Sequence, residues 1–351
     1  MNTHADQTPL LEVSGLSVQF ASREGDVRAV DDISFNVYDN EVLGIVGESG
    51  SGKSVTALTL LQLLSRNGRI TNGAIRFRDG DELVDITELE PDGPRMRSIR
   101  GAEIAMIFQE PMTAFSPLHT IGNQIGEAIA LHSVPAGLGR SARKTFVRQQ
   151  TIEVLASVGM PAPEQLIDAY PHELSGGMRQ RAMIAMGLSC APKILIADEP
   201  TTALDVTLQA QVIDLMSDMR EEQGMSIVFI THDLGVIAEM ADRVMVMYLG
   251  HEMETAPVDD LFHNPHHPYT RALLRSIPTA SGPIEMLRPI EGTVPSPLDI
   301  PPGCRFHTRC DAAMPGVCDV SEPTLTEISP GHEVACFLHS PAPAPAEVND
   351  D

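Results

Sequence analysis

The sequence predicts an α/β protein with a parallel sheet, on the basis of four short apolar runs and the helical stretches between them. The runs are long enough for buried strands, and a polar or glycine-rich turn follows each; they cover residues 42–46, 104–108, 194–197 and 227–230. Alternation of such strands with helices is typical of α/β folds. Ligands in these folds bind at the carboxyl ends of the strands, so functional residues are expected there.

A second sheet and a helical insertion are predicted around this core. Residues 11–40 alternate apolar and polar side chains and carry turn signals at 23–26, which predicts an antiparallel sheet beside the parallel one. From residue 111 onward the pattern is helical, because Ile121, Ile125 and Ile129 recur at a spacing that places them on one helix face, and a second helical stretch covers 141–158. A helical subdomain is therefore predicted at about 113–188.

The end of the chain has a different character. After about Phe262, proline becomes frequent and the hydrophobic periodicity fades, which predicts a main domain of residues 1–262 and a separate C-terminal extension of residues 263–351. The Pro-Ala repeats from about residue 341 predict a disordered tail.

Composition excludes several classes of protein. A formal net charge of −24 makes the chain a poor general binder of nucleic acid. The N-terminus lacks a basic region followed by an apolar stretch, and no apolar run approaches the length of a membrane span, so a protein that is neither secreted nor membrane-spanning is expected. Without an export signal, the five cysteines argue against a disulfide framework.

Residues 47–54 fit the phosphate-loop pattern G-x-x-x-x-G-K-[ST]. They follow a predicted strand and precede a predicted helix, on which Leu60 and Leu64 would share one face. Glycines let backbone N–H groups converge on phosphate oxygens, the lysine would reach the β and γ phosphates, and the final serine would bind Mg²⁺. The loop residues expected to bind nucleotide are Gly47, Ser49, Gly50, Gly52, Lys53 and Ser54.

Two adjacent carboxylates follow the predicted strand at 194–197. Asp198 can hold Mg²⁺, and Glu199 can accept a hydrogen bond from an attacking water. Adjacent carboxylates at a strand end are costly unless a cation lies beside them. A solvated pair in a loop would be the simpler interpretation if these residues stood alone, but they occur together with a phosphate loop.

Further motifs resemble those of ABC ATPases. Leu174-Ser175-Gly176-Gly177-Met178 is similar to the signature motif of that family, and Gln109 resembles its Q-loop glutamine. Asp205, in Ala-Leu-Asp, resembles the D-loop aspartate, and His232 resembles the switch histidine. These elements occur in family order across about residues 11–261. The resemblance implies a P-loop ABC ATPase cassette with a RecA-like core, an antiparallel β subdomain and an inserted helical subdomain.

The resemblance also implies how the cassette works. Two subunits would pair head to tail and hold ATP between the phosphate loop of one and the signature motif of the other. Ser175, Gly176 and Gly177 would then contact the partner's nucleotide. Gln109 would contact Mg²⁺ and the water, and His232 would contact the γ-phosphate and position the water of Glu199.

Two further positions bear on the resemblance, one that matches the family and one that departs from it. Phe20 precedes the phosphate loop by about the interval at which the family places an aromatic ring that stacks on adenine, although a phenylalanine in an alternating strand also suits the core. Met178 stands where the most common signature motif has glutamine, so that polar contact is missing while the serine and glycines remain.

Several stretches resemble the ATPases of bacterial oligopeptide and dipeptide importers, a group that also serves nickel uptake: residues 109–113, 174–181, 198–207 and 264–271. The resemblance implies a bacterial ATPase at the cytoplasmic face of the membrane. Its partners would be a second, related ATPase chain, two permease subunits and an extracytoplasmic binding protein. Residues 115–125 are predicted to contact the permeases. The alternatives are an importer of nickel or another small solute and, less favoured, a soluble ABC protein outside transport.

Four cysteines lie within the proline-rich extension: Cys304, Cys310, Cys318 and Cys336. Thiolates clustered in a loop-rich segment suit a metal centre that ties the segment together. The family resemblance points to a [4Fe-4S] cluster. Zinc is the alternative, although its usual C-x₂₋₄-C pair is missing, and unliganded thiols are a third possibility.

Three histidines at the start of the extension invite a nickel or zinc site: His263, His266 and His267. Because the segment that contains them resembles a turn in the peptide importer group, packing and capping roles are favoured.

Overall fold

A computed structural model describes residues 7–109, 114–201, 206–276 and 290–340. Within these ranges, strands form one sheet of four and one sheet of eight. The strands are β1 Leu11–Ala21, β2 Asp26–Val37, β3 Val42–Val46, β4 Gly68–Asp79, β5 Glu82–Asp85, β6 Ile104–Ile107, β7 Ile194–Asp198, β8 Ser226–Ile230, β9 Arg243–Tyr248, β10 His251–Pro257, β11 Thr326–Ser329 and β12 His332–Val334.

The larger sheet has the order β11-β12-β10-β9-β3-β8-β7-β6. Its strands β9, β3, β8, β7 and β6 are parallel, and the remaining pairs are antiparallel. The four predicted strands are confirmed as β3, β6, β7 and β8, whose residues are all buried. Helices pack on one face of the larger sheet, and the sheet of four strands packs on its other face together with the helix after the phosphate loop. The carboxyl ends of these four predicted strands lie side by side and carry the phosphate loop, Gln109, Glu199 and His232.

The smaller sheet has the order β2-β1-β4-β5 and is antiparallel throughout. The antiparallel sheet predicted for residues 11–40 is confirmed: β1 pairs with β2, and the turn lies between Ala21 and Asp26. Strands β4 and β5 complete this sheet and were not predicted. Apolar side chains from this sheet and from one face of the larger sheet form a common core with Leu60 of the helix after the phosphate loop.

The helices are α1 Lys53–Leu60, α2 Pro94–Ile99, α3 Ile121–His132, α4 Arg140–Ser157, α5 Pro163–Leu166, α6 Gly176–Leu188, α7 Val206–Gln223, α8 Leu234–Met240, α9 Val258–His263 and α10 Pro268–Arg275. Short 3₁₀ helices cover Ile86–Glu88, Pro171–Glu173 and His307–Arg309. Helices α3 to α6 lie between β6 and β7, and the predicted isoleucine face of α3 is buried. None of the helices in the described part of the chain has the length and apolar character to cross a membrane.

One helix is shorter than predicted. Leu64 does not lie on α1, because the helix ends at Leu60. Gln62 has a left-handed backbone with φ of 49°. The N–H of Leu63 turns back to the carbonyl of Leu58 at 2.8 Å. The chain thus leaves the helix before Leu64.

The C-terminal lobe, defined here as residues 264–276 and 290–340, is packed onto the sheet. Strand β12 pairs with β10, and β11 pairs with β12, so the lobe extends the larger sheet at its edge. Phe306, Cys304 and Cys318 belong to the same buried core as the central strands. Helix α9 runs across the boundary predicted after residue 262, and the boundaries at 113, 188 and 262 stay predictions.

Candidate nucleotide site

The phosphate loop depends on glycine at two positions. Gly47 has φ of 153°, and a Cβ there would lie 2.1 Å from the carbonyl oxygen of Met247. Gly52 has φ of 99°, and a Cβ there would lie 2.5 Å from the carbonyl oxygen of Ala29. Both approaches are to backbone atoms, which cannot move aside as a side chain can. Glycine is therefore required where the loop leaves β3 and where it enters α1.

Lys53 is folded back into the loop. Its Nζ donates to the carbonyl oxygens of Gly47 at 2.7 Å and Glu48 at 3.1 Å. Burial lowers the pKa of Lys53, and the nearby carboxylates of Glu199, Asp198 and Glu48 act in the opposite direction. The ammonium group is thus placed at the centre of the loop, where phosphate oxygens would replace the carbonyl oxygens as partners.

Ser54 and Asp198 meet at the start of α1. Ser54 Oγ donates to Asp198 Oδ1 at 3.0 Å, and Asp198 is buried at the end of β7. Burial raises the pKa of Asp198, while the hydrogen bond from Ser54 opposes that rise. A hydroxyl and a carboxylate oxygen are the donors that Mg²⁺ takes from proteins, so these two residues fit the predicted magnesium ion.

Gln109, Glu199 and His232 converge although they follow three different strands. Gln109 Nε2 donates to Glu199 Oε2 at 3.1 Å, and His232 Nδ1 lies 3.3 Å from Glu199 Oε1. The backbone of Glu199 is left-handed, with φ of 48°, and its N–H donates to the carbonyl of Ile230 at 2.8 Å. Both carboxylate oxygens are therefore oriented by the neighbouring strand ends β6 and β8.

The signature segment forms the N-terminus of α6. Ser175 Oγ accepts a hydrogen bond from the N–H of Met178 at 3.3 Å, which caps the helix. Ser175 and Gly176 are exposed, and a Cβ on Gly177 would meet the side chain of Leu208. The α6 residue Gln180 donates to the carbonyl of Pro200, which ties this helix to the segment after β7.

Two other predicted site residues are placed less directly. Phe20 lies on β1 in a half-buried position, and its ring covers Gly68 of β4, where a Cβ would come within 2.7 Å of the ring. Asp205, the predicted D-loop aspartate, lies outside the described residues.

The four cysteines of the C-terminal lobe are free thiols in the structure. Burial raises the pKa of Cys304 to about 12 and that of Cys310 to about 11, and the other cysteines of the group add to both shifts. Each sulfur accepts a backbone N–H, from Phe306, Ala312, Met314 and Leu338 in turn. Across the described ranges, however, no three His, Cys, Asp or Glu side chains are gathered closely enough to hold a metal ion.

Histidines of the lobe surround a buried carboxylate. Glu254 on β10 accepts the N–H groups of His266 at 2.6 Å and His267 at 3.0 Å, and His332 Nε2 lies 2.8 Å from it. His267 Nδ1 accepts the N–H of Tyr269 at 3.0 Å and so caps α10, in agreement with the capping role favoured for this segment. The contribution of Glu254 was not predicted, because nothing in an alternating strand marks this glutamate as buried.

A second unpredicted contact reaches the phosphate loop itself. Arg309 Nη1 lies 2.6 Å from Glu48 Oε2, and the N–H of Glu48 donates to Tyr269 Oη at 2.9 Å. The only available signal was an acidic side chain inside a loop that binds phosphates. The partners of the Glu48 side chain and backbone N–H lie more than two hundred residues away and could not be read from the pattern.

Comparisons with known proteins identify the family. The ABC transporter family matches residues 30–202, and the oligopeptide/dipeptide transporter C-terminal region matches residues 253–318. The oligopeptide transport ATP-binding protein AppD of Bacillus subtilis is 49% identical over 94% of this chain and 97% of its own length. The dipeptide transport ATP-binding protein DppD of Escherichia coli is 46% identical over 93% of this chain and 96% of its own length.

Solved structures share the fold. The ATP-binding cassette MJ0796, bound to ADP and Pi, has a TM-score of 0.61 at 24% identity and covers 71% of this chain and 98% of its own. The structure of cbiO1 from Clostridium perfringens has a TM-score of 0.58 at 25% identity and covers 74% of this chain and 92% of its own. The predicted fold class is thus confirmed. On the strength of the long, nearly half-identical relatives, the chain belongs to the ABC transporter family as an ATP-binding cassette protein with a C-terminal region of the oligopeptide/dipeptide transporter type.

Proposed function

We propose that this chain hydrolyses ATP to energise the import of peptides across a bacterial cytoplasmic membrane. The observation that carries the ATPase assignment is the orientation of Glu199 by Gln109 and His232, beside the Ser54–Asp198 pair. A carboxylate whose two oxygens are both positioned is suited to accept a hydrogen bond from an attacking water. The peptide assignment is supported by the names of the relatives and by the matching C-terminal region.

The residues of the site have separable roles in this proposal. The loop N–H groups and Lys53 bind the phosphates, and Ser54 and Asp198 hold Mg²⁺, which supplies positive charge to the phosphate oxygens. Glu199 would orient the water that attacks the γ-phosphorus and would accept a proton from it, while the bond between the γ-phosphorus and the β,γ-bridging oxygen breaks and ADP leaves with that oxygen. Gln109 and His232 keep the carboxylate of Glu199 in place, and Phe20 stacks on the adenine.

The complete site requires a second ATPase subunit. Ser175 and Gly176 are exposed at the N-terminus of α6, where backbone N–H groups and a hydroxyl can face a phosphate of another subunit. We propose that Gly177 and the D-loop residue Asp205 also contribute to this shared site. A related but different chain is the proposed partner.

The proposed contact with the permeases lies at residues 115–125. Phe115, Ile121 and Ile125 are buried there, whereas Leu118 is 81% exposed. The loop around Leu118 is held by Gln124, whose Nε2 donates to the carbonyls of Ser116 and His119, both at 3.0 Å. A fixed loop with an exposed leucine is suited to enter a cleft on a membrane subunit, and it would place the chain at the cytoplasmic face.

Glu199→Gln tests the ATPase assignment. The variant keeps the shape of the side chain but is a much weaker hydrogen-bond acceptor for water, so turnover should fall by about 10²- to 10⁴-fold while ATP binding persists. Glu221→Gln, at an exposed position on α7, is the matched control and should retain normal turnover. Unchanged turnover in Glu199→Gln would remove this residue from the catalytic role.

Transport is tested on the assembled complex. The chain, co-purified with its permeases, second ATPase and extracytoplasmic binding protein and reconstituted in vesicles, should take up labelled peptides in an ATP-dependent manner. Uptake of nickel without peptide uptake would favour the alternative importer. Failure to associate with any membrane subunit would favour a soluble ABC protein.

We further propose that Cys304, Cys310, Cys318 and Cys336 hold a [4Fe-4S] cluster, with zinc as the alternative. The N–H donors at all four sulfurs support the proposal, because such donors stabilise thiolate ligands of a metal centre. The sulfurs are not gathered closely enough in the described structure to share a metal, so binding would have to draw them together. Four thiolates supply the full ligand set of either centre. ATP hydrolysis needs no electron transfer, so a catalytic role for the cluster is not expected. Its proposed role is structural: it would tie the segments of the lobe together.

Metal analysis of anaerobically purified protein decides between these centres. Iron and acid-labile sulfide should be present in equal amounts and should be lost in Cys310→Ser. Cys190→Ser is the matched control, because Cys190 lies outside the group, and should leave the iron content unchanged. Zinc without iron would refute the cluster, and the absence of both metals would leave the thiols unliganded.

A further inference from the structure

The C-terminal lobe contacts the phosphate loop at Glu48, the second residue of the loop. Arg309 and Glu48 form a bidentate pair, with Nη1 to Oε2 at 2.6 Å and Nη2 to Oε1 at 3.1 Å. Tyr269 Oη accepts the backbone N–H of Glu48 at 2.9 Å. One residue of the loop is thus held through both its side chain and its backbone. Both holding residues come from the lobe, outside the ABC transporter match at residues 30–202.

Contacts other than the one with Glu48 also fix the side chain of Arg309. Its side chain is only 4% exposed, and it also donates to the carbonyl of Glu291 at 3.0 Å and to Tyr248 Oη at 3.3 Å. Its guanidinium carbon lies 5.8 Å from the ring centroid of Tyr248 and 6.0 Å from that of Phe306. A guanidinium held by this many partners loses little entropy in binding a carboxylate, and its planar fork fixes the orientation of that carboxylate.

Tyr269 is fixed by packing. Its ring lies 4.8 Å from that of Tyr248 and 5.1 Å from that of Phe306, and these three aromatic residues are fully buried. The hydroxyl therefore occupies a set position relative to β9, which carries Tyr248, and to the lobe, which carries Phe306. Any shift of the lobe on β9 would move the acceptor of the Glu48 N–H.

These contacts matter because of where Glu48 lies. Gly47 and Gly50 have positive φ, and a glycine-rich loop is intrinsically mobile, so an external restraint lowers the ordering cost of nucleotide binding. Glu48 also places a negative charge in the loop that receives phosphates. Arg309 compensates that charge, and without it an unpaired carboxylate would repel the nucleotide.

We propose that Arg309 and Tyr269 are positioning residues through which the C-terminal lobe sets the phosphate loop and thereby the affinity for nucleotide. The inference rests on the proposed ATP site. It goes further by assigning the lobe a direct role at that site, exerted through two side chains that are not expected to touch ATP.

The test measures the Kd for Mg-ATP on the full-length chain. Arg309→Gln leaves the Glu48 carboxylate unpaired and should raise the Kd by about tenfold, the size of effect expected for loss of a charge-assisted hydrogen-bonded pair. The double variant Glu48→Gln/Arg309→Gln removes the unpaired charge and should recover most of that loss. Tyr269→Phe keeps the packing but removes the hydroxyl, and it should raise the Kd by about threefold.

A second ion pair, also with one buried partner, supplies the matched control. Arg243 Nε lies 2.9 Å from Glu41 Oε1, directly before β3, whereas Glu48 lies just after the end of the same strand. Arg243→Gln should lower the unfolding temperature and leave the Kd unchanged. An equal rise in Kd in Arg243→Gln would show a general effect of instability and overturn the proposal.

Two other results would also overturn it: an unchanged Kd in Arg309→Gln, or no recovery in the double variant. Should Arg309→Gln fail to fold, Tyr269→Phe alone carries the test, and an unchanged Kd in it would overturn the proposal. Absence of ATP binding by the unmodified chain would instead refute the proposed function, so the two failures are distinguishable.

Discussion

Charged side chains are buried in two regions of the molecule: at the nucleotide edge, defined here as the carboxyl ends of β3, β6, β7 and β8, and where the C-terminal lobe packs on β10. The pKa values of these side chains are shifted in different ways. At the edge, burial disfavours the charged forms of both residues: it lowers the pKa of Lys53 and raises that of Asp198. Where the lobe packs on β10, Glu254 of that strand is fully buried, yet hydrogen bonds from His332 and from backbone N–H groups of the lobe outweigh burial and lower its pKa. Charges at the edge are thus poised for a ligand, whereas the charge of Glu254 already has protein partners, and these partners fasten the lobe to β10.

The largest effect is expected from a change at the edge. Asp198→Asn removes the carboxylate proposed to hold Mg²⁺ and should lower the ATPase rate by about 10³-fold, the range typical for loss of a preorganised charged group in catalysis. Because burial disfavours the charge of Asp198, the unliganded protein should not lose stability. Steady-state turnover and the unfolding temperature test the two parts. A large fall in the unfolding temperature would contradict the description of the edge as poised for a ligand.

The opposite outcome is expected where the lobe packs on β10. Glu254→Gln places an amide where the carboxylate accepts two backbone N–H groups and meets His332, and it should cost about 3 kcal/mol of unfolding free energy. The affinity for ATP should change little. Denaturant unfolding and ATP titration measure the two quantities.

Glu252 on the same strand is the matched control for Glu254. It is also buried, but burial raises its pKa to about 7 despite a hydrogen bond from Thr255. Glu252→Gln should therefore be neutral or stabilising at pH 8, where the native carboxyl is charged at a cost. Equal destabilisation by the two substitutions would remove the distinction between a satisfied and an unsatisfied carboxylate.

The pH dependence of the unfolding free energy should reveal the buried histidine His267 of the lobe. Burial lowers the pKa of His267 from 6.5 to about 4. The folded state then binds fewer protons than the unfolded state, so His267 contributes stability above pH 6.5 that is lost as the pH falls toward 4. The loss is about 3 kcal/mol at its fullest.

His267→Asn isolates this contribution, because asparagine can still cap α10 but does not titrate in this range. Unfolding free energies at pH 7 and pH 4.5 should differ less in the variant than in the unmodified chain. The same difference in both proteins would show that the histidine titrates without linkage to folding.

Prediction from sequence succeeded where the chemistry is local. The phosphate loop is marked by glycines, and β3, β6, β7 and β8 are marked by short apolar runs; these four strands are found. Strand β9, which pairs with β3, was not predicted. Leu64 was misplaced because helix periodicity does not show that Gln62 turns left-handed. Strands β4 and β5 were missed because their alternation is weak, and β12 was missed because it has only three residues and depends on β10 for its pairing. The Glu48, Arg309 and Tyr269 contact depends on packing between distant segments, which no pattern in one sequence reports.

The smallest effect on ATPase activity is expected from a change at the proposed permease contact, which lies outside both the nucleotide edge and the lobe. Leu118 is 81% exposed and contributes little to the core, so Leu118→Ser should leave stability and basal turnover unchanged. In the complex with the permeases, loss of its apolar contact should lower the stimulation of ATPase activity by about threefold, which corresponds to less than 1 kcal/mol. Leu131, 71% exposed at the far end of α3, is the matched control, because it lies outside residues 115–125. Equal losses in Leu118→Ser and Leu131→Ser would indicate a broader docking surface than the proposed segment.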